Sequence, residues 1–402
     1  MRTPRFVQLL VVVGLPVFAT IAGAAYGADM PGITADEIKI GQTMPYSGPA
    51  SAYSAIGKAE LAYFAMINEQ GGVNGRKINL ISLDDGYSPP KTFEQTRRLV
   101  EQDNVAFIVS SLGTPTGVVV HKYLNEHKVP QIFQASGATF WADPKNFPWS
   151  MGWQPNYQTE GAIYGHYLLQ TDPNAKIAVL YQNDDAGRDY VAGFKAGLGD
   201  AAAKMIVATA TYEVTDPTLD SQIVSLQGSG ATVLFNNSTP KFAAQAIRKV
   251  YDLGWKPRQF LMSVATSVSA VMEPAGLEKG QGIVTAQYLK DPNDEQWKND
   301  AAMKDWLAFM KKYYPDGNLG DSFNVYGYAV AQTLVQVLKQ CGNDLSRDNV
   351  MKQAASLDMD IPLLLPGIKI HTGGTDFSPI KAMRLARFEG KQWVLFGDVI
   401  GE

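Results

Sequence analysis

Along the chain, short runs of β-branched and aliphatic residues alternate with longer stretches whose apolar residues recur every three or four positions. That alternation predicts βαβ units around parallel sheets. The first series reads as strands over 38–44, 78–83, 106–110 and 131–133, with helices over 56–69, 92–102 and 116–127 between them. A second series has strands over 176–181, 206–211, 232–235 and 259–262, with helices over 187–198, 219–226 and 241–253. Beyond Tyr288 the pattern turns to helices over 294–314, 323–339 and 346–355, and a hairpin around Glu389-Gly390-Lys391 closes the chain.

The two series resemble each other in detail. Ser111, Thr114 and Pro115, a helix, then Val129-Pro130-Gln131-Ile132-Phe133 are echoed by Asn237, Thr239 and Pro240, a helix, then Lys256-Pro257-Arg258-Gln259-Phe260. A match at this scale predicts two similar α/β lobes, each doubly wound, with a cleft between them. The chain is expected to cross between the lobes near 153–155, near 286–287 and around 380. Those crossings assign 29–153 plus 287–379 to lobe one and 154–286 plus 380–402 to lobe two, joined by a three-crossing hinge.

Composition narrows the function. The chain has 402 residues, enough for two cores, and its net charge of −4 offers no basic footprint for nucleic acid. A single cysteine, Cys341, excludes an internal disulfide and any multi-cysteine metal site. His121 and His127 are six apart, on different helix faces, and read as solvated helix residues rather than a metal pair. Neither a metal nor another cofactor is called for. Residues 1–28 have a charged start at Arg2 and Arg5, an apolar run from Phe6 to Ala25 and a small-residue exit, the pattern of a cleavable signal peptide. With no cysteine there to carry a lipid, the mature chain is expected free in the periplasm, and it is taken as a monomer.

The chemistry-bearing positions lie in the loops after strands. Tyr46-Ser47-Gly48-Pro49 runs on to Tyr53 after the first strand, Ser110-Ser111-Leu112-Gly113-Thr114 follows the third, and Ala135-Ser136-Gly137-Ala138-Thr139 the fourth. Hydroxyls and glycines leading into helix N-termini leave backbone N–H donors beside a positive dipole end, which suits a carboxylate. The same residues also serve as ordinary caps and turns. Tyr46, Tyr53, Trp141, Trp149 and Trp153 add aromatic surface for core packing or for stacking on a ligand. There is no G-x-S-x-G elbow, H-E-x-x-H, P-loop or dinucleotide fingerprint.

With Ile38-Lys39-Ile40-Gly41, Ser47-Gly48-Pro49, Gly71-Gly72-Val73-Asn74-Gly75-Arg76, Asp84-Asp85, Ser110-Ser111 and Asp184 to Tyr190, the chain resembles the Leu/Ile/Val-binding family of periplasmic solute-binding proteins of ABC transporters. The resemblance spans the whole mature chain. It implies the type I periplasmic binding protein fold, no enzymatic activity, and an ABC permease in the inner membrane as partner. It places Tyr53, Ser110, Ser111, Ser136, Gly137 and Thr139 against the ligand from lobe one, and Asp184 to Gly187 (with Asp185 and Ala186) and Asn236 to Thr239 (with Asn237) from lobe two. Tyr46, Ser47 and Trp153 complete the candidate site. Two departures bear on specificity. Ala186 stands where amino-acid binders of the family carry an aromatic residue, and the loop Ser263-Val264-Ala265-Thr266-Ser267 lacks the carboxylate that would pair with an α-ammonium. An unpaired buried ammonium is costly, so the expected ligand is a small organic carboxylate, an aromatic acid before an amino acid. The alternatives are a hydrophobic amino-acid carrier, an exported hydrolase and a sensory ligand-binding module.

Overall fold

The computed structural model describes residues 30–401 together with the isolated positions 1 and 4, so the expected signal peptide falls, those two positions apart, outside the described residues. In lobe one, β1 (Glu37–Met44), β2 (Lys77–Asp84), β3 (Ile108–Val109), β4 (Gln131–Gln134) and β5 (Ser150–Gly152) form one parallel sheet in the order β2-β1-β3-β4-β5. The helices α1 (Ser54–Glu69), α2 (Pro89–Glu101) and α3 (Thr114–Glu126) connect the first four strands. After the first crossing comes α4 (Tyr157–Thr171), then β6 (Ile177–Gln182), α5 (Asp185–Leu198), α6 (Ala202–Met205), β7 (Ile206–Tyr212), α7 (Asp220–Gly228), β8 (Val233–Asn237), α8 (Pro240–Asp252), β9 (Arg258–Leu261), α9 (Glu273–Ala275) and β10 (Val284–Gln287). The parallel order here, β7-β6-β8-β9-β10, repeats that of lobe one strand for strand.

The chain then returns to lobe one with α10 (Ala301–Tyr313), α11 (Ser322–Cys341) and α12 (Arg347–Ala354), and makes a small antiparallel pair, β11 (Asp358–Met359) with β12 (Ile370–His371). It ends in lobe two, where β13 (Ala382–Glu389) pairs antiparallel with β10 and with β14 (Gln392–Gly401). The architecture is mixed α/β in two lobes, as the alternating pattern predicts.

The inner strands are covered on both faces, as parallel sheets require: all of β8 is buried, and Ile38, Ile40 and Met44 of β1 are sealed in the core. The edge strand β7 alternates half-buried and exposed residues, with Val207 facing solvent. The hydroxyl and amide residues at the C-terminal ends of β1, β3 and β8 are therefore buried where the two lobes meet.

Two helix pairs need close backbone approach. On α4, a Cβ at Gly161 would come 2.5 Å from the Tyr190 carbonyl, and one at Gly193 of α5 would fall on the Gln158 backbone, so α4 and α5 touch main chain to main chain. In lobe one, Gly327 of α11 does the same against Ile56 of α1. His121 departs from its solvated reading: it is buried beside Phe147, 4.0 Å between ring centroids, and burial lowers its pKa to about 4, which makes it a neutral core residue. His127 is exposed, with Nδ1 2.8 Å from the Tyr123 carbonyl. Among the described residues no group of acidic, histidine and cysteine side chains is arranged to hold a metal, and no helix is long and apolar enough to cross a membrane.

Candidate functional site

Between the lobes lies a cavity walled by residues of both lobes and of the second crossing. Lobe one contributes Tyr53 and Ile56 at the start of α1, Tyr87 after β2, Leu112 to Thr114 between β3 and α3, Ala135 after β4, and Phe323 and Tyr326 of α11. Lobe two contributes Tyr157, Gln182, Ala186, Tyr190, Asn237, Thr239 and the segment Met262 to Val264, and the second crossing adds Tyr288 to Asp291.

Six tyrosine rings and Phe323 make the wall largely aromatic. Tyr157 and Tyr190 stack at 4.3 Å, and Tyr53 packs on Phe323 at 4.9 Å. Tyr87 is aimed inward by its turn: it sits at φ +59°, its N–H donates to Asp85 Oδ1 at 2.9 Å, and Asp85 Oδ2 accepts from the Thr92 hydroxyl at 2.9 Å. A side chain at Gly113 (φ +108°) would strike the Tyr87 ring at 2.5 Å, so only glycine lets that ring lie against the start of α3. No side chain caps α3, which leaves N–H donors of its first turn open where Gly113 and Thr114 line the cavity. Tyr53 spans the cleft, its hydroxyl donating to the Val264 carbonyl at 2.9 Å.

Of the candidate site residues, Tyr53, Ala186 and Asn237 line the cavity, joined by Thr239, by Leu112 to Thr114 and Ala135 of the strand-end loops, and by Ser263, Val264 and Thr266; the other candidates do not line it. The Tyr46 hydroxyl is 2.6 Å from Ser82 Oγ, and burial pushes its pKa up to about 12. Ser47 donates its N–H and hydroxyl to Asp84 at 3.0 and 2.6 Å. Ser110, in the left-handed region at φ +48°, accepts at its carbonyl from Gln42 Nε2, and Ser111 Oγ accepts from the Thr43 N–H. Ser136 Oγ lies 2.7 Å from the Thr114 hydroxyl, one step behind the wall. The Gly137 carbonyl accepts from the Tyr157 N–H at 2.7 Å, across the first crossing. Trp153 is fully buried and donates Nε1–H to Thr333 Oγ1 at 3.0 Å. Asp185 pairs with Arg188 at the surface.

Thr139 bridges the lobes rather than facing the cavity. Its N–H donates to Asp189 Oδ2 at 2.6 Å and its hydroxyl reaches both carboxylate oxygens at 2.9 and 3.0 Å, while Gln158 Nε2 holds Oδ1 at 3.0 Å from lobe two.

Two acids that the sequence reading passes over matter here. The loop 263–267 carries no carboxylate of its own, yet Glu160 of α4 reaches it: Glu160 accepts from the Ser263 N–H (2.6 Å) and hydroxyl (2.7 Å), from Tyr164 (2.6 Å) and from Tyr190 (2.8 Å). Burial raises its pKa against those four donors. It does not line the cavity; it fixes Ser263 and Tyr190, which do. Asp291 lines the cavity itself and is 3% exposed, and burial raises its pKa to about 6. Glu160 lies on a helix whose glycines mask its amphipathic pattern, and Asp291 sits in Lys290-Asp291-Pro292-Asn293, which reads as an ordinary turn.

Two repeated α/β lobes closing on an interior cavity define a bilobal solute-binding protein. The chain belongs to the periplasmic binding protein family, whose model matches residues 37–392, and is a substrate-binding protein of the kind ABC transporters use. It is similar to Leu/Ile/Val-binding protein homolog 1 of Brucella suis, 24% identical over 325 residues, 77% of this chain and 80% of that one. Its fold matches a branched-chain amino acid ABC transporter protein from Thermus thermophilus with bound valine (TM-score 0.81, 16% identity, 91% of this chain and 97% of that one). It also matches a solute-binding protein from R. palustris in complex with benzoate (TM-score 0.76, 22% identity, 91% and 98%).

Proposed function

We propose that this chain, exported to the periplasm after removal of residues 1–28, holds a small aromatic carboxylate between its lobes and delivers it to an ABC permease by opening and closing about its three crossings. The observation that carries the reading is the wall of tyrosine rings beside the uncapped start of α3. The open N–H groups suit the carboxylate, and the rings suit a flat apolar body. Ala186 leaves room on the lobe-two side, and Ser263 spends its donors on Glu160. The fold is shared with a protein crystallised with benzoate, which supports the reading without deciding it.

A hydrophobic amino acid is the second reading, favoured by Asp291, the carboxylate that faces the cavity, and by the names of the Brucella relatives. Isothermal titration with benzoate, 4-hydroxycinnamate, leucine and phenylalanine separates the two. The proposal expects the aromatic acids to bind and leucine not to; tight leucine binding overturns it.

A further inference from the structure

Asp291, which lines the cavity, holds an unused hydrogen-bonding atom. Its Oδ1 accepts from the Asn293 N–H at 2.8 Å and from Asn293 Nδ2 at 2.9 Å, and the same Nδ2 donates to the Gly320 carbonyl at 2.9 Å. Asn293 thus holds the carboxyl at one oxygen. Its Oδ2 is buried and has no partner among the described residues. The neighbouring cation is committed elsewhere: Lys290 Nζ pairs with Asp300 at 2.8 Å and lies 5.0 Å from the Trp297 ring centre.

The groups that act on Asp291 electrostatically are two more acids, Asp294 and Asp321. Asp321 is occupied by the Ser267 hydroxyl and the Phe323 N–H, and Asp294 by Gln296. Among the described residues no donor answers Oδ2, and a buried carboxyl oxygen left unmatched is the exception in folded proteins.

We infer that Asp291 is a specificity-determining residue whose free oxygen receives a hydrogen-bond donor carried by the ligand, a ring hydroxyl or an ammonium, apart from the ligand's carboxylate. This rests on the proposed small-carboxylate cargo. Discrimination of this kind is strong, because a ligand lacking the donor leaves the buried oxygen unpaired.

The test is titration calorimetry on the mature full chain with two matched pairs, benzoate against 4-hydroxybenzoate and 3-phenylpropanoate against phenylalanine. In the wild type, the donor-bearing member of one pair is expected to bind at least tenfold more tightly. Asp291→Leu is expected to bring that pair within threefold while the donor-free member keeps its affinity. Asp291→Asn, which keeps an acceptor but no charge, retains the preference if the donor is a hydroxyl and loses it if the donor is an ammonium. Equal affinities within both wild-type pairs, or a preference that survives Asp291→Leu, overturn the inference even if the leucine variant folds poorly, since the wild-type comparison alone can refute it. If none of the four acids binds the wild type, the cargo reading itself has failed.

Discussion

Asp189→Ala removes the contact between α5 and Thr139, and with it both donors that lobe one sends to the carboxylate. A hydrogen bond to a charged group contributes about 1.5–3 kcal/mol, and this site is only partly buried, so the pair of donors is worth about 2 kcal/mol to the lobe arrangement seen here. If ligand binds that arrangement, and Thr139 and Asp189 separate when the lobes open, the loss appears as weaker apparent affinity of roughly 30-fold. Thr139→Val keeps the N–H bond to Asp189 and is expected to give about a fivefold loss. Titration calorimetry reads the affinity, and small-angle scattering reads whether the unliganded variant is more extended. Unchanged affinity and unchanged dimensions in Asp189→Ala would mean that the contact survives opening and belongs to the hinge, which would refute its role as a latch.

Glu60 gives a pH prediction. It is buried in α1, accepts from Gln42 Nε2 and keeps Oε1 unpartnered, and burial raises its pKa from 4.5 to about 8. Between those values the folded protein holds a proton that the unfolded chain has released. The stability this confers is full below the unfolded pKa and is lost as pH rises through the folded one, at up to about 1.4 kcal/mol per pH unit. Glu60→Gln is expected to flatten that slope in urea titrations between pH 5 and 8; a variant with the wild-type slope contradicts the assignment. For Glu160, replacement by Ala leaves the Ser263 N–H and hydroxyl and the Tyr190 hydroxyl without their shared acceptor, while Tyr164 keeps the Leu261 carbonyl at 3.2 Å, at about 1–3 kcal/mol for each buried group unsatisfied. Unfolding measurements should show a loss of at least about 3 kcal/mol, and a loss below 1 kcal/mol would show that water or rearrangement replaces the carboxylate.

Most strands and most helices are legible because periodicity depends on neighbours in sequence; the short strands β5, β10, β11 and β12 are not. The β3–α3–β4 and β8–α8–β9 units that read as echoes occupy the same places in two sheets of identical order. What periodicity cannot carry is contact between distant segments. Helix α4 passed unread because Gly161 and Gly165, which let it lie on α5, dilute its apolar face. Its Glu160 therefore went unseen behind a loop that looked uncharged. The hydroxyl-rich loops were read correctly as lying at the C-terminal ends of strands, but which hydroxyl faces the cavity depends on rotations that sequence does not reveal. Ser111 turns back to the Thr43 N–H and Ser47 to Asp84, while Thr114 reaches the wall.

The pairing of β10 with β13 has a mechanical consequence. These strands carry the second and third passages of the chain, and their register, Val284 with Arg387 through Gln287 with Arg384, ties them into one ribbon. The first passage is braced against the second by Trp153, whose ring meets that of Tyr288 at 6.2 Å. Strands bound in this way cannot slide past one another, so relative movement of the two halves, where it occurs, is expected to be bending across the ribbon. A molecule built so is expected to open like a book along its spine rather than by shear.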